Sequence, residues 1–373
     1  MNLINMTAPC LLGVEGIVAR ELKLMGANNV TPENGRVNFK GDYNILARAN
    51  ICSRYSERIL IEMGKFTAKT FEELFQGVKS LPWENWIGKK DKFPVKGRSL
   101  NSQLSSVPAC QKIIKKAIVE RLKAKYKVQW LEETNDLYQI QFLIMKNNVS
   151  IMIDTSGNGL HKRGYRAIST EAPIKETLAA VMADLSHIHS NHIVEDPFSG
   201  SGTILIESAL KALNIAPGKN RDFTAKHWSC IDSSIWQQEI EKAISEEKHD
   251  ALFEGYGYDI DSSAIELATE NAIKAGVGDI IKFSKRDIND FILNFEKSSI
   301  ITNPPYGERL LDIEQAQNLY RVMGEKFIKH QGYSYTIISP DEDFETIFGR
   351  KADKRRKLYN GMIKCQVYMY YKN

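Results

Sequence analysis

Cysteine is scarce. The 373 residues hold five, Cys10, Cys52, Cys110, Cys230 and Cys365, an odd number, widely scattered and without a CxxC pair. That excludes a disulfide framework and a cysteine-rich zinc site. No apolar run approaches the ~18 residues of a membrane span, and the opening stretch, Met1 to Arg20, lacks the basic start and long apolar core of a secretory leader. A cytoplasmic protein is expected. The densest histidine group, His187, His189 and His192, has no cysteine or HExxH partner, so solvated loop histidines and no metal are expected there. There is no internal repeat and no low-complexity tract.

What is present is ordinary globular composition, 43% hydrophobic and 26% charged, in a chain long enough for two or three domains. The net charge of +4 hides an asymmetry. Residues 1–155 carry 23 Lys and Arg against 15 Asp and Glu, a surplus of eight, whereas the remainder carries 27 against 31. The surplus includes Lys89, Lys90, Lys92, Lys96 and Arg98, then Lys112, Lys115, Lys116, Arg121, Lys123, Lys125 and Lys127. It suits a phosphate backbone, whose neutralisation releases counterions. Solvated helix faces explain any single lysine as well.

Apolar spacing predicts a helix from Val14 to Met25 stopped by Gly26, and a strand after Gly35 through Val37 and Phe39. A second helix, Ala109 to Tyr126, sets Ile113, Ile114, Ala117, Ile118 and Leu122 against a basic side. Leu137 to Met145 and Val149 to Ile153 read as paired strands around Lys146-Asn147-Asn148. From Lys175 onward strands and helices alternate, the pattern of a parallel sheet flanked by helices. Strands are expected at 193–196, 256–259, 280–284, 300–302 and 335–338, and helices at 175–187, 203–213, 262–275 and 315–329. Asn360-Gly361 predicts a terminal hairpin with a type I′ turn.

Three tracts carry chemistry. In Asp196-Pro-Phe198-Ser199-Gly200-Ser-Gly202-Thr203, between a strand and a helix, the glycines allow a tight turn and the helix start offers free N–H groups. The spacing is neither a phosphate loop nor a dinucleotide fingerprint. Asp259, followed by Ile260, ends the next strand, where a carboxylate can accept from ribose hydroxyls; it lies 63 residues beyond Asp196, which implies an insertion, 214–254. Asp287, before Ile288, follows the third strand and could accept from an adenine amine, while Asp261 before Ser262 reads as a helix cap.

The sharpest tract is Asn303-Pro304-Pro305-Tyr306, after the fourth strand. Two prolines fix the backbone and remove two donors, leaving carbonyls to face a ligand, and Asn303 adds a side-chain acceptor. A planar exocyclic amine needs acceptors for both hydrogens if its lone pair is to point at a methyl group. Tyr306 would supply a face on which an extruded base stacks.

These tracts together, with Leu160-His-Lys-Arg163-Gly-Tyr-Arg166, Ala172-Pro-Ile-Lys175-Glu-Thr177-Leu178 and the continuation Gly307-Glu308-Arg309, resemble the THUMP-domain RNA guanine-N2 methyltransferases, most of all the bacterial enzymes acting on 23S ribosomal RNA. The resemblance spans nearly the whole chain. It implies a Rossmann-like class I methyltransferase domain over 160–373, a mostly parallel seven-stranded sheet with a C-terminal hairpin. A ferredoxin-like module over 1–64 and an RNA-binding THUMP domain over 65–155 would precede it. The cofactor implied is S-adenosylmethionine. Asp196, Phe198, Ser199, Gly200, Gly202 and Thr203 would surround its methionine part, Asp259 and Ile260 its ribose, Asp287 and Ile288 its adenine, with Lys175 and Thr177 flanking it. The family often carries Cys where Ser199 stands. Asn303, Pro304, Pro305 and Tyr306 would hold the target base, and Lys112, Lys115, Lys116, Arg163 and Arg166 would meet RNA. The expected reaction is attack of guanine N2 on the cofactor's methyl group. A tRNA guanine-N2 methyltransferase, an adenine-N6 or protein-glutamine methyltransferase, and a non-catalytic RNA-binding assembly factor are the alternatives.

Overall fold

A computed structural model describes residues 3–166, 174–306 and 312–372. The N-terminal half is one antiparallel-dominated sheet with helices on one face. Its elements are β1 (Ile4–Pro9), α1 (Glu15–Leu24), β2 (Asn28–Glu33), β3 (Arg36–Gly41), α2 (Tyr43–Cys52), β4 (Leu60–Thr67), α3 (Phe71–Ser80), β5 (Val95–Leu100), α4 (Val107–Tyr126), β6 (Gln139–Met145) and β7 (Asn148–Asp154). Period-two alternation decides the faces: Val37 and Phe39 of β3 and Ile140, Phe142 and Ile144 of β6 are buried, as are Ile17, Val18 and Leu22 of α1 and Ile114, Ile118 and Leu122 of α4. Local signals set the helix ends. Asp42 accepts from the Ile45 N–H, and Thr70 and Glu73 form a capping box. The β6–β7 turn needs two positive φ angles, taken by Lys146 (51°) and Asn147 (65°).

Strand order is β2-β3-β1-β4-β7-β6-β5. β4 pairs with β1 on one side and β7 on the other, so the two expected small modules share one continuous sheet, and the division expected at 64/65 falls inside β4.

The second half adds α5 (Glu176–Leu185), β8 (Ile193–Asp196), α6 (Thr203–Ala212), α7 (Ser233–Ser245), β9 (Glu254–Asp259), α8 (Ser262–Lys274), β10 (Ile281–Lys285), β11 (Ser298–Thr302), α9 (Ile313–Phe327), β12 (Tyr333–Ser339), α10 (Phe344–Phe348), β13 (Lys354–Asn360) and β14 (Ile363–Tyr370). Strand order is β10-β9-β8-β11-β12-β14-β13, parallel except for the antiparallel β13–β14 hairpin. The hairpin turn departs from expectation. Asn360 pairs with Ile363, so the central residues are Gly361 and Met362, and Gly361 alone takes a positive φ, 65°. That is the pattern of a type II′ turn, in which glycine occupies the first central position, not of type I′.

The insertion at 214–254 fastens the two halves together. The Gly218 N–H donates to the Ile51 carbonyl at 2.8 Å, and a Cβ on Gly218 would stand 2.7 Å from that oxygen. Arg48 of α2 grips Glu239 of α7 with two bonds of 2.6 and 2.8 Å. Trp228 stacks on Tyr138 with ring centroids 4.3 Å apart and donates to the Leu137 carbonyl.

Candidate methyltransferase site

The strand order places the C-terminal ends of β10, β9, β8 and β11 side by side, with the connection reversing direction between β8 and β11. Such a switch point opens a crevice beyond the strand ends. Asp196, Asp259, Asp287 and Asn303 each stand at or just after one of these ends.

The glycine loop is built for close approach. Gly202 caps α6 at φ 77°, and a Cβ there would stand 2.8 Å from the Phe283 ring and 3.1 Å from the Ala268 methyl. Gly200 takes φ 48° with nothing within 4 Å of where a Cβ would point, so that side of the loop is open. The Asp259 carboxylate accepts from the Gly200 N–H and from the Asp261 N–H, both at 3.0 Å. Behind the loop, fully buried Asn271 of α8 donates to the Ser201 carbonyl at 3.1 Å.

Asp196 is 1% exposed and accepts from the Thr302 hydroxyl at 2.7 Å and the Phe198 N–H at 3.1 Å. Burial, aided by the Asp259 charge and opposed by those two bonds, pushes its carboxyl up to about 7. The Asp196–Thr302 bond ties the glycine loop to the strand end that presents Asn303. Neither Thr302 nor Asn271 was singled out from sequence; a buried polar residue adjoining a motif was the available signal.

The Asn303 side-chain oxygen accepts the Tyr306 hydroxyl, and the Pro305 carbonyl accepts from Tyr320 at 3.3 Å. No donor among the described residues meets the Pro304 carbonyl. Tyr306 is 9% exposed, which corrects the expected stacking role: its ring is packed inside, and its hydroxyl orients Asn303. An amide oxygen has a second lone pair, so Asn303 can still accept from a target amine.

The remaining expected residues divide. Ile260 is 63% exposed beside Asp259, whereas Ile288 is buried. Asp287 is exposed and accepts from the Asn289 N–H and side-chain amide. Asp261 caps α8 as expected. Thr177 is fully buried and donates to Glu57 of the N-terminal half at 2.8 Å, and the Lys175 ammonium lies 3.7 Å from the same carboxylate, so these side chains fasten the domains instead of lining the crevice. Burial would raise Glu57, but the His161 imidazole, Lys175 and the Thr177 hydroxyl hold it at about 2.

Three RNA expectations change. Arg163 is buried against Glu207 and donates to the Arg54 and Leu160 carbonyls at 2.5 and 2.7 Å, so it cannot meet a phosphate. Arg166 is largely buried, donating to the Ile174 carbonyl and the Thr203 hydroxyl at the start of α6. Lys115 turns inward to Glu133 at 2.6 Å, with its ammonium 3.4 Å from the Phe93 ring centroid. Lys112 and Lys116 are exposed. Ala172, Pro173 and Gly307 to Arg309 lie outside the described residues. His189 donates its backbone N–H to His192 Nδ1, and no cluster of three or more His, Cys, Asp or Glu among the described residues is arranged to hold a metal. No helix among them is long and apolar enough to cross a membrane.

A glycine loop, a carboxylate at the end of the next strand and an Asn-Pro-Pro-Tyr turn at the switch point of this sheet define a class I methyltransferase domain. An RMKL-like methyltransferase domain matches residues 163–369, an RlmL ferredoxin-like domain residues 5–60, and a THUMP domain residues 68–154. The chain belongs to the THUMP-containing, RlmL-like family of RNA methyltransferases, which use S-adenosylmethionine. It is 42% identical to “Putative RNA methyltransferase YpsC” of Bacillus subtilis (strain 168) over 98% of this chain and 94% of that one. It is 32% identical to the ribosomal RNA large subunit methyltransferase K/L of Psychromonas ingrahamii over 97% of this chain, but spans only 49% of that protein's length. The crystal structure of SMU.472 complexed with SAH superposes with a TM-score of 0.95 at 40% identity, covering 100% of this chain and 99% of that one.

Proposed function

We propose that this protein methylates N2 of a guanine in 23S ribosomal RNA, in the cytoplasm. The observation that carries the reading is the arrangement at the end of β11, where Asn303, oriented by Tyr306, stands one residue beyond the Thr302–Asp196 bond to the glycine loop and is followed by the Pro304 carbonyl, which no donor among the described residues meets. When bound, S-adenosylmethionine supplies an electrophilic methyl group on a sulfonium. The residues present fit it: the open side of Gly200 and the start of α6 would admit the methionine part. Asp259, whose two oxygens each accept a single N–H, keeps lone pairs for two ribose hydroxyls. Asp287 would accept from the adenine amine and exposed Ile260 would cover the ring.

Guanine's exocyclic amine is a poor nucleophile because its lone pair is delocalised into the ring. Acceptors at Asn303 Oδ1 and the Pro304 carbonyl would take its two hydrogens, pyramidalise the nitrogen and aim the lone pair. Positioning of this kind supplies much of the rate. No strong base is needed, since the methylated nitrogen is acidic and loses its proton afterwards. The basic N-terminal half favours RNA over a protein substrate.

The test is methylation of ribosomal RNA from cells lacking this protein, followed by nucleoside mass spectrometry. N2-methylguanosine in the large-subunit RNA is expected with the wild type and none with Asn303→Ala, which should keep cofactor affinity within a few-fold. N6-methyladenosine, or methyl transfer confined to tRNA, would refute the assignment.

A further inference from the structure

The C-terminal hairpin ends beside the catalytic turn. Asn360 of β13 donates its side-chain amide to the Tyr306 hydroxyl at 3.5 Å, and that hydroxyl donates to Asn303. Two residues on, at the hairpin tip, Met362 is 95% exposed, more than any other large apolar side chain among the described residues. The fold does not require it. The β13–β14 ladder runs from Lys354 opposite Met369 to Asn360 opposite Ile363, and Gly361 alone meets the turn's conformational demand. Polar residues are the usual occupants of such a tip.

The flanks of the hairpin are cationic. Lys354, Arg356 and Lys357 have no carboxylate in salt-bridge range among the described residues, whereas Arg355 pairs with Glu345 and Lys364 with Glu342. Midway along β13 the hairpin meets the N-terminal half: a Cβ on Gly13 would stand 2.9 Å from the Lys357 carbonyl and 3.4 Å from the Leu358 side chain. The same strand therefore touches the loop after β1 and, through Asn360 and Tyr306, reaches Asn303.

We infer that this hairpin extrudes the target nucleotide, with Met362 entering the RNA base stack as an apolar wedge while the cations further along β13, Lys354, Arg356 and Lys357, meet phosphates at a distance from that step. The inference rests on the RNA reading above. An amine inside a stacked and paired base cannot reach Asn303, so the base must leave the stack, which costs a few kcal/mol. An apolar side chain that fills the vacated step offsets part of that cost, and methionine, unbranched and polarizable, slides between bases readily.

The experiment uses the full chain, radiolabelled S-adenosylmethionine and folded large-subunit ribosomal RNA from cells lacking the protein. Met362→Ala should lower kcat/KM by roughly 10- to 100-fold, the share of unstacking a wedge can offset. Met362→Leu should restore most of it. Melting temperature and S-adenosylhomocysteine affinity should stay at wild-type values, because the side chain touches neither the core nor the cofactor loop. On a short unpaired RNA carrying the same target sequence, the alanine variant should match the wild type. Equal rates of wild type and Met362→Ala on folded RNA would overturn the wedge alone, as would loss of cofactor affinity in the variant. Failure of the wild type itself to methylate any RNA would remove both this inference and the proposed function.

Discussion

Replacing Asp259 with Ala removes a carboxylate that shapes the glycine loop and, in the proposed reading, accepts from the cofactor's ribose. Its two oxygens accept the Gly200 and Asp261 N–H groups at 3.0 Å. A hydrogen bond to a charged group is worth about 1.5–3 kcal/mol, so loss of one net ribose interaction should weaken cofactor binding by about 10- to 150-fold. The orphaned Gly200 N–H lies at the solvent-facing crevice and can be hydrated, so the melting temperature should fall by only a few degrees. Calorimetric titration with S-adenosylhomocysteine, which binds without reacting, gives the dissociation constant directly. Asp259→Asn is the informative companion, since its single carbonyl oxygen can satisfy only one of the two N–H groups; its affinity should lie between wild type and the alanine variant. A dissociation constant unchanged in Asp259→Ala, with the fold intact by circular dichroism, would refute the placement of the ribose.

Tyr306→Phe keeps an aromatic face but deletes the donor to Asn303; if the hydroxyl orients that amide, single-turnover methyl transfer should fall by about 10- to 100-fold while RNA affinity holds. Unchanged transfer would return Tyr306 to a stacking or packing role. Replacing Lys112 and Lys116 by Ala should flatten the salt dependence of RNA binding by up to ~2 units of slope, whereas Lys115→Ala, whose ammonium is committed to Glu133, should leave the slope alone. Filter binding between 50 and 200 mM salt, roughly the range over which phosphate contacts are exposed, reads both. Asp196 is raised to about 7 when folded, from the usual 3.8. Its carboxyl is therefore neutral in the native state while the unfolded chain ionises, and it destabilises the fold progressively as pH rises from about 4 to about 7, by up to about 4 kcal/mol. Asp196→Asn should remove that slope, so chemical denaturation of variant and wild type should diverge across this window; parallel curves would show that Asp196 stays ionised.

Much of the methyltransferase half is legible because strand ends and motifs coincide. Gly200, Gly202, Asp259 and Asn303 stand out by residue type, and the parallel order sets them at or just after adjacent strand ends, where the proposed site lies. Residues whose roles depend on burial are misread. Arg163 and Arg166 look like phosphate contacts, yet their guanidiniums are consumed by Glu207, backbone carbonyls and Thr203. Tyr306 looks like a stacking platform, yet its ring lies inside. Composition cannot distinguish an arginine that faces solvent from one that closes a buried network, because both occur beside glycine and aromatic residues. The hairpin turn was misplaced by one residue for a related reason: Asn-Gly is a strong local signal, but the ladder register of β13 and β14 decides which pair is central.

The insertion at 214–254 alters how RNA binding by the N-terminal half can be probed. The charge asymmetry invites an experiment on residues 1–155 alone. Cutting there would strip Trp228 from Tyr138, which is fully buried in the whole chain, break the Arg48–Glu239 pair, and free the Ile51 and Thr155 carbonyls from Gly218 and Ala225. The freed carbonyls would be hydrated, but Tyr138 and the apolar surface around it would face water, and the lost aromatic pair is worth about 0.5–1.5 kcal/mol beyond its buried area, so the fragment would lose part of a typical domain's stability. The same contacts, with Glu57 held by Thr177 and Lys175, set the distance between the basic sheet and Asn303. In the proposed reading substrate choice follows geometry: an RNA would be methylated when the segment held by the N-terminal half and the target base lie at that fixed separation. Lengthening the chain between Ser156 and Leu160 by itself would not change the spacing, because the insertion still bolts the halves together; loosening it requires Trp228→Ala or Glu239→Ala as well. With both changes, methylation should spread to additional guanines in large-subunit RNA, detectable by mapping N2-methylguanosine along the sequence. An unchanged map would mean that the methyltransferase half selects its target unaided.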